Sequence, residues 1–393
     1  MGKAARGKRN ASGSNSPYQK PGGAPLSKAA SAIFKFNTDI GQHILKNPTI
    51  ADAIVDKANI QPSQTVLEVG PGPGILTTRI LQKAKKVVAV ELDPRMAAEL
   101  TKTVQATPAE KKLQIVLGDF VKTDLSKLPP FQICISNTPY QISSPLIFKL
   151  LSMPNPPKTC VLMVQREFAL RLIARPGDSL YSRLSVNAQF FSRISHIMKV
   201  GKNNFRPPPQ VESSVVRVEP KADRPDISWD EWDGMLRICF VRKNKTLRAG
   251  FMGTKVRALI ERNWITWVSM HPEKVTHSDI DFLQGKDVPV AQGGDDDMDM
   301  GDGEDAPEAG DDEDDIFMDL GDENDTPVTA TKGSLVAIGD QQVPRAMVTK
   351  LIQVKIQRVL EQAGLSNARA NKCDENNFLQ LLHGFNTEGI HFS

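Results

Sequence analysis

From Ser63 onward the chain alternates short apolar runs with segments whose apolar residues recur at three- and four-residue spacing. The first pattern suits strands and the second suits amphipathic helices. Thr65–Val69 is predicted as a strand, and Ile75, Leu76, Ile80 and Leu81 then mark a helix. Val87–Glu91 is the next strand, and Met96, Leu100 and Val104 mark the helix after it. Leu113–Leu117, Phe131–Ile135 and Thr159–Val164 read as further strands, nearly all apolar. That composition predicts burial on both faces, as in parallel sheets. Two later strands, His196–Val200 and Val215–Val218, flank a proline-rich loop. The order predicts an open α/β sheet with helices on both faces.

Around Lys221–Ser228, with Pro220 and Pro225, the composition turns polar and suggests a linker. Beyond it, Trp229–Trp267 and Met347–Phe385 read as helical. The predicted organisation is a disordered basic tail over 1–35, a sheet domain over 36–222 and a smaller helical domain over 229–393. A disordered acidic insertion at about 285–333 interrupts the last. The length of 393 residues accommodates two domains plus tails.

Charge changes this picture because it is segregated. Residues 295–325 hold 17 of the 46 Asp/Glu and no Lys or Arg. Against the 49 Lys/Arg, the rest of the chain carries 29 acids and a formal +20. A body that basic is expected to meet a polyanion. The first 35 residues carry seven Lys/Arg and no acid, which fits a nuclear address, an RNA-binding arm or a mitochondrial transit peptide. No apolar run is long enough for a membrane span, so a soluble, intracellular protein with no membrane partner is expected. Cys134, Cys160, Cys239 and Cys373 lie far apart and read as buried free thiols. The histidines show no metal spacing, so no metal is expected.

The candidate chemistry sits at the predicted strand ends. Glu68-Val69-Gly70-Pro71-Gly72-Pro73-Gly74 follows a strand and precedes a helix, where glycines admit a nucleotide-like ligand close to the backbone. The spacing GxGxG differs from the GxGxxG of dinucleotide enzymes and suits a ligand without phosphates. Glu91, 21 residues after Gly70, ends the next strand and can accept bonds from ribose hydroxyls. Asp119 follows the third strand, placed to accept a bond from an adenine amine, with Phe120 beside the ring. Asn137-Thr138-Pro139-Tyr140 follows the fourth strand. The lone pair of an adenine amine is delocalised into the ring. An amide oxygen from Asn137 and the Pro139 carbonyl can accept its hydrogens and free that lone pair for attack on an electrophilic methyl. Tyr140 offers a face to a base that has left its stack. Phe205, before Pro207-Pro208-Pro209, is expected as a presented ring for the other face, or as a core residue before a turn. Arg242, Lys243, Lys245 and Arg248 can contact phosphates, and Arg166, Arg171, Arg175 and Arg183 add charge near the sheet; any of these also suits plain solvated surface.

Together these residues resemble the ribosomal RNA adenine dimethyltransferase family. The resemblance runs from about Phe36 to Ser393 outside the acidic insertion. It rests on Gly41-Gln42-His43-Ile44-Leu45, then EVGPGPG, VELD, LGDF, NTPYQISSP, QREFALRL and FRPPPQVESSVVR. The C-terminal HGFNTEGIHFS looks like the eukaryotic nuclear branch. The resemblance implies a Rossmann-like class I methyltransferase sheet with a smaller helical domain. It implies S-adenosyl-L-methionine as cofactor, S-adenosylhomocysteine as product, and double methylation of two adjacent adenines in a hairpin loop near the 3′ end of small-subunit rRNA. His43, Leu45, Gly70, Gly72, Glu91, Asp119, Phe120 and Asn137 are the implied cofactor contacts. Asn137, Pro139, Tyr140 and Phe205 are the implied catalytic set. Thr138 departs from the Leu of many members. Pre-ribosomal RNA and assembly factors are the implied partners of a chain otherwise monomeric, in the nucleus and nucleolus and on late pre-ribosomes in the cytoplasm.

Three rivals stay open on sequence alone. A nicotinamide-dependent oxidoreductase explains Gly70 and Glu91 but leaves the NTPY motif and the basic body unexplained. A binding-only assembly factor and a mitochondrial paralogue are the others.

Overall fold

The computed structural model describes residues 43–223, 226–286, 335–338 and 341–393. The expected basic tail, Gly41-Gln42 and the acidic stretch 295–325 lie outside these residues. The sheet half runs β1 (Ile44–Leu45), α1 (Pro48–Lys57), β2 (Thr65–Val69), α2 (Thr77–Lys83), β3 (Lys86–Glu91), α3 (Pro94–Val104), β4 (Leu113–Leu117) and β5 (Ile133–Asn137). It continues with α4 (Ser143–Leu151), β6 (Thr159–Gln165), α5 (Arg166–Ile173), α6 (Arg183–Phe191), β7 (Ser192–Val200), β8 (Phe205–Arg206) and β9 (Ser213–Pro220). The helical half comprises α7 (Trp229–Val241), α8 (Leu247–Phe251), α9 (Thr254–Met270), α10 (His277–Leu283), a hairpin of β10 (Leu335–Ile338) and β11 (Gln341–Pro344), α11 (Arg345–Gln362) and α12 (Glu375–Thr387).

Seven strands form one sheet in the order β4-β3-β2-β5-β6-β9-β7. The first five are parallel, and β9 runs antiparallel between β6 and β7. Alternation along each strand divides the core. Val66, Val87, Ile133, Ile135 and Val161 join Ile54, Ile80 and Leu81 from α1 and α2 on one face. Leu67, Val88, Cys134 and Leu162 join Leu146, Leu172 and Leu184 from α4, α5 and α6 on the other. Both faces are therefore covered, which is why these strands read as apolar runs rather than alternating ones.

The strands expected at His196–Val200 and Val215–Val218 run Ser192–Val200 and Ser213–Pro220, and two other assignments change. The strand read as Phe131–Ile135 runs Ile133–Asn137, so the strand itself ends on Asn137. Leu113–Leu117 is not buried on both faces: it is the edge of the sheet, with Leu117 57% exposed. An edge strand keeps the apolar composition of its neighbours while losing the cover on one side.

The helical half is not walled off. Its core includes Ala174, Tyr181, Val186 and Phe190 from the sheet half. Phe190 stacks on Trp232 with ring centroids 4.0 Å apart. Asn187 accepts the Trp232 indole N–H (2.9 Å) and donates to Asp233 (2.7 Å), which also holds Arg237. Tyr181 Oη donates to the Cys373 carbonyl at 2.9 Å, and Lys221 pairs with Glu375 at 2.8 Å. The chain changes composition near residue 222, but the packing continues across that point.

Candidate active site

The carboxyl ends of β2, β3 and β5 meet at one open cleft. Of the predicted residues, His43, Leu45, Gly70, Gly72, Glu91, Asn137, Pro139 and Tyr140 line it. Neighbouring strand ends bring them together: Val69 pairs with Val90 on one side and Ser136 on the other.

The turn after β2 is shaped by glycine. Gly72 has φ +55°, and a Cβ there would meet nothing within 4 Å, so its backbone faces open space. Gly74 has φ +97°, and a Cβ would lie 2.6 Å from Leu100 Cδ1, so glycine lets the turn sit directly on α3. The Glu91 carboxylate, 6% exposed, accepts the Gly72 N–H (3.0 Å) on one oxygen and the Asp93 N–H (2.9 Å) on the other. Asp93 in turn caps α3 by accepting the Arg95 N–H, with Pro94 at the first helical position. Burial raises the Glu91 pKa, against the lowering effect of those N–H donors. The carboxylate still keeps acceptor capacity for a ribose hydroxyl.

These residues fit S-adenosyl-L-methionine. Among the described residues lining the cleft none is Lys or Arg, so none of these would neutralise a pyrophosphate. The cradle at Gly72 and the acid at Glu91 suit a nucleoside with free hydroxyls. Among the described residues, no group of three or more His, Cys, Asp or Glu is placed to hold a metal ion. All four cysteines are free and buried.

The Asn137–Tyr140 turn is held from three sides. Asn137 Nδ2 donates to the His43 carbonyl at 2.9 Å, which turns Oδ1 away from that contact as an acceptor. His43 Nδ1 donates to the Pro207 carbonyl at 3.0 Å. The two-residue strands β1 and β8 pair Leu45 with Phe205, so three distant motifs are tied together. The Pro139 carbonyl accepts the Ile142 N–H (3.1 Å) and keeps a second lone pair. Tyr140 Oη is bonded to Ser213 Oγ at 2.8 Å, and its ring lies 5.8 Å from that of His43. Burial raises the Tyr140 pKa, so the phenol stays neutral. Thr138 Oγ1 donates to Ser136 Oγ (3.0 Å), which donates to the Val69 carbonyl (2.7 Å). The threonine hydroxyl thus joins the Asn137–Tyr140 turn to the end of β2 before the glycines, which a leucine could not do.

Three expected residues stand elsewhere. Phe205 is not a presented ring: it is 2% exposed and packed in the sheet core, because pairing of its backbone with Leu45 turns the side chain inward. Phe120 is also buried, among Leu67, Val90 and Leu146, and does not line the cleft. Asp119 is half-buried and does not line the cleft. Its carboxylate accepts the Val121 N–H at 2.8 Å, and the adjoining Gly118 N–H donates to the Glu91 carbonyl at 2.9 Å. Among the arginines, Arg166 pairs with Glu212 and Arg183 lies 3.9 Å from Asp233. In the 242–248 cluster, Leu247 is buried and Thr246 caps α8, while Arg242, Lys245 and Arg248 are exposed.

Glu68 was noted in sequence only as the acid before the glycines. It is buried in β2, and neither carboxyl oxygen, nor Thr77 Oγ1 beside it, has a well-formed hydrogen bond. Desolvation raises its pKa from 4.5 to about 8; Thr77 lowers it somewhat and the charge of Glu91 raises it further. The signal available in sequence was an acid within an otherwise apolar strand. A folded-state pKa above the unfolded one means the group's contribution is complete below about 4.5 and is lost as pH rises through about 8. Glu68→Gln, which cannot ionise, is expected to flatten the fall in stability over that window. Urea midpoints measured from about pH 5 to about pH 9 check this; equal slopes in both proteins would contradict it.

A family model described as Ribosomal RNA adenine dimethylase matches residues 33–277. The chain is 51% identical over 393 residues to the dimethyladenosine transferase of Saccharomyces cerevisiae, covering all of both chains. It is 46% identical over 358 residues to a ribosomal RNA small subunit methyltransferase of Arabidopsis thaliana, covering 91% of this chain and 92% of that one. The crystal structure of a dimethyladenosine transferase from Plasmodium falciparum superposes with a TM-score of 0.64 at 34% identity, covering 89% of this chain and all of that one. With the sheet order, the glycine turn at Glu91 and the Asn137 turn already in place, these matches settle the lineage: the chain belongs to the ribosomal RNA adenine dimethylase family.

Proposed function

We propose that this cleft dimethylates the exocyclic amines of two adjacent adenines in a 3′-terminal hairpin loop of small-subunit (18S) rRNA. As a family member the chain is an S-adenosyl-L-methionine-dependent rRNA adenine dimethyltransferase. The observation that carries the reading is the commitment of Asn137 Nδ2 to the His43 carbonyl, which leaves Oδ1 as an acceptor on a cleft that Pro139 also lines. Two acceptors at one point hold an amine by both hydrogens and draw its nitrogen towards tetrahedral geometry. Tyr140, anchored through Ser213, supports the face of the flipped base. The cofactor, when bound, supplies an electrophilic sulfonium methyl. Glu91 and the Gly72 backbone would hold its nucleoside half, and neutral Tyr140 keeps a second negative charge away from the reacting end.

The likeness to a ribosomal RNA small subunit methyltransferase of Arabidopsis thaliana supports the choice of subunit. The reading places the enzyme on pre-ribosomal RNA in the nucleus and nucleolus, and on late particles in the cytoplasm, with assembly factors as neighbours and a second role in small-subunit assembly. The segregated positive charge of the body suits such a polyanionic partner. The test uses unmodified small and large subunit RNA, purified full-length protein and isotopically labelled methyl donor. Mass analysis of nuclease fragments is expected to show two neighbouring dimethyladenosines near the 3′ end of the small-subunit RNA. Label confined to large-subunit RNA, or monomethyladenosine alone, would refute the proposal.

A further inference from the structure

We propose that Lys149 is a positioning residue for the cofactor's adenine, holding the Asp119 loop against the helix that starts at the catalytic turn. The inference rests on the reading of Asp119 as acceptor for the adenine amine. Lys149 lies on α4, which begins directly after the turn Tyr140–Ile142. Its ammonium donates to three backbone carbonyls of the loop after β4: Phe120 (2.9 Å), Val121 (2.5 Å) and Thr123 (2.5 Å). It also lies 5.4 Å from the centroid of the Phe120 ring.

An ammonium has three donors, so these three acceptors satisfy it completely. From the other side, three carbonyl oxygens converge on one point, and without a cation there their dipoles repel. The rest of the loop is held by bonds within itself. Asp119 accepts the Val121 N–H, its carbonyl accepts from Thr123 Oγ1 at 2.7 Å, and the Thr123 N–H donates to the Phe120 carbonyl. Those internal bonds set the shape of the loop. The Gly118 N–H ties its start to Glu91, and Lys149 ties the remainder to α4. Asp119 lies between these two ties, and its carboxylate is oriented by Val121, one of the residues Lys149 grips. The helix that follows Asn137 and Tyr140 therefore also fixes where the adenine-recognising carboxylate sits. One side chain sets the separation between the methyl-accepting turn and the base end of the donor site.

The test is the preference for a 6-amino over a 6-oxo purine. Binding of 5′-methylthioadenosine and 5′-methylthioinosine is measured by calorimetry on full-length wild type, Lys149→Met, Lys149→Arg and Asp119→Asn. The ratio of the two dissociation constants for one preparation cancels any fraction of unfolded protein. An amine donates to a carboxylate and an oxo group is repelled by it, so wild type should favour the amino ligand. Lys149→Met is expected to reduce the ratio roughly tenfold, the order set by one misaligned charge-assisted hydrogen bond. Lys149→Arg, which retains charge and donors, should keep most of it, and Asp119→Asn should lose it. If Asp119→Asn loses the preference while Lys149→Met keeps the wild-type ratio, the positioning role is overturned. If Asp119→Asn keeps the preference, the underlying reading of Asp119 fails and the inference falls with it.

Discussion

Asn137→Ala is expected to slow single-turnover methyl transfer by roughly 10²–10³-fold, about 3–4 kcal/mol, by analogy with loss of one oxyanion-hole donor. The comparison is apt because the lost group acts where charge changes during the reaction. In the proposed reaction Asn137 Oδ1 is the acceptor that pulls on the amine as its lone pair is freed, while its Nδ2 is held by the His43 carbonyl. Removal therefore takes away an interaction stronger in the transition state than in the bound complex. Glu91, Gly72 and their mutual hydrogen bond are untouched, so cofactor affinity should change much less than turnover. Rapid-quench measurement at saturating RNA and donor isolates the step. A rate within a few-fold of wild type would remove Asn137 from the chemistry.

Phe205→Ala is expected to cost about 3–5 kcal/mol of folding stability, the usual price of emptying a buried phenylalanine site. The ring is 2% exposed and lies among Leu45, Val200 and Val215. The loss should spread to the site, because β8 holds β1 and β1 follows His43, whose carbonyl positions Asn137. A lower urea midpoint and weaker methylation should appear together. A ring that only stacked on a base would behave otherwise: stability would hold, and RNA use alone would fall by about 1–3 kcal/mol. An unchanged midpoint with selective loss of RNA use would therefore reverse the assignment to the core.

The contrast between Asn137 and Phe205 marks where sequence reasoning works. Gly70, Gly72, Glu91, Asn137, Pro139 and Tyr140 each sit in a short local motif at a strand end, and adjacent strand ends must meet. Strands covered on both faces announce themselves as apolar runs, so β2, β3, β5 and β6 were legible. β4 looked the same, because composition does not record which strand stands at the edge. Whether a phenylalanine before three prolines faces inward depends on pairing with Leu45, 160 residues earlier in the chain, and no local pattern carries that. Lys149 had no signature either: one lysine in an apolar helix reads as solvated. The hairpin β10–β11 was not legible either, because strands of four residues are too short to establish an alternation. The participation of Tyr181, Val186 and Phe190 in the helical core was likewise invisible, since helix α6 satisfies the periodicity of either half.

That sharing bears on any attempt to dissect the protein. Severing the chain between Pro220 and Trp229 would not liberate a free-standing catalyst. It would strip Trp232 from Phe190, leave the Asn187 amide without its indole and carboxylate partners, and uncover an oily flank on α6. Exposed flanks of that kind recruit one another and precipitate. The minimal unit that keeps this core covered is thus the pair of halves joined, and a miniaturised version would first need Tyr181 and the α6 residues Val186 and Phe190 replaced by polar ones.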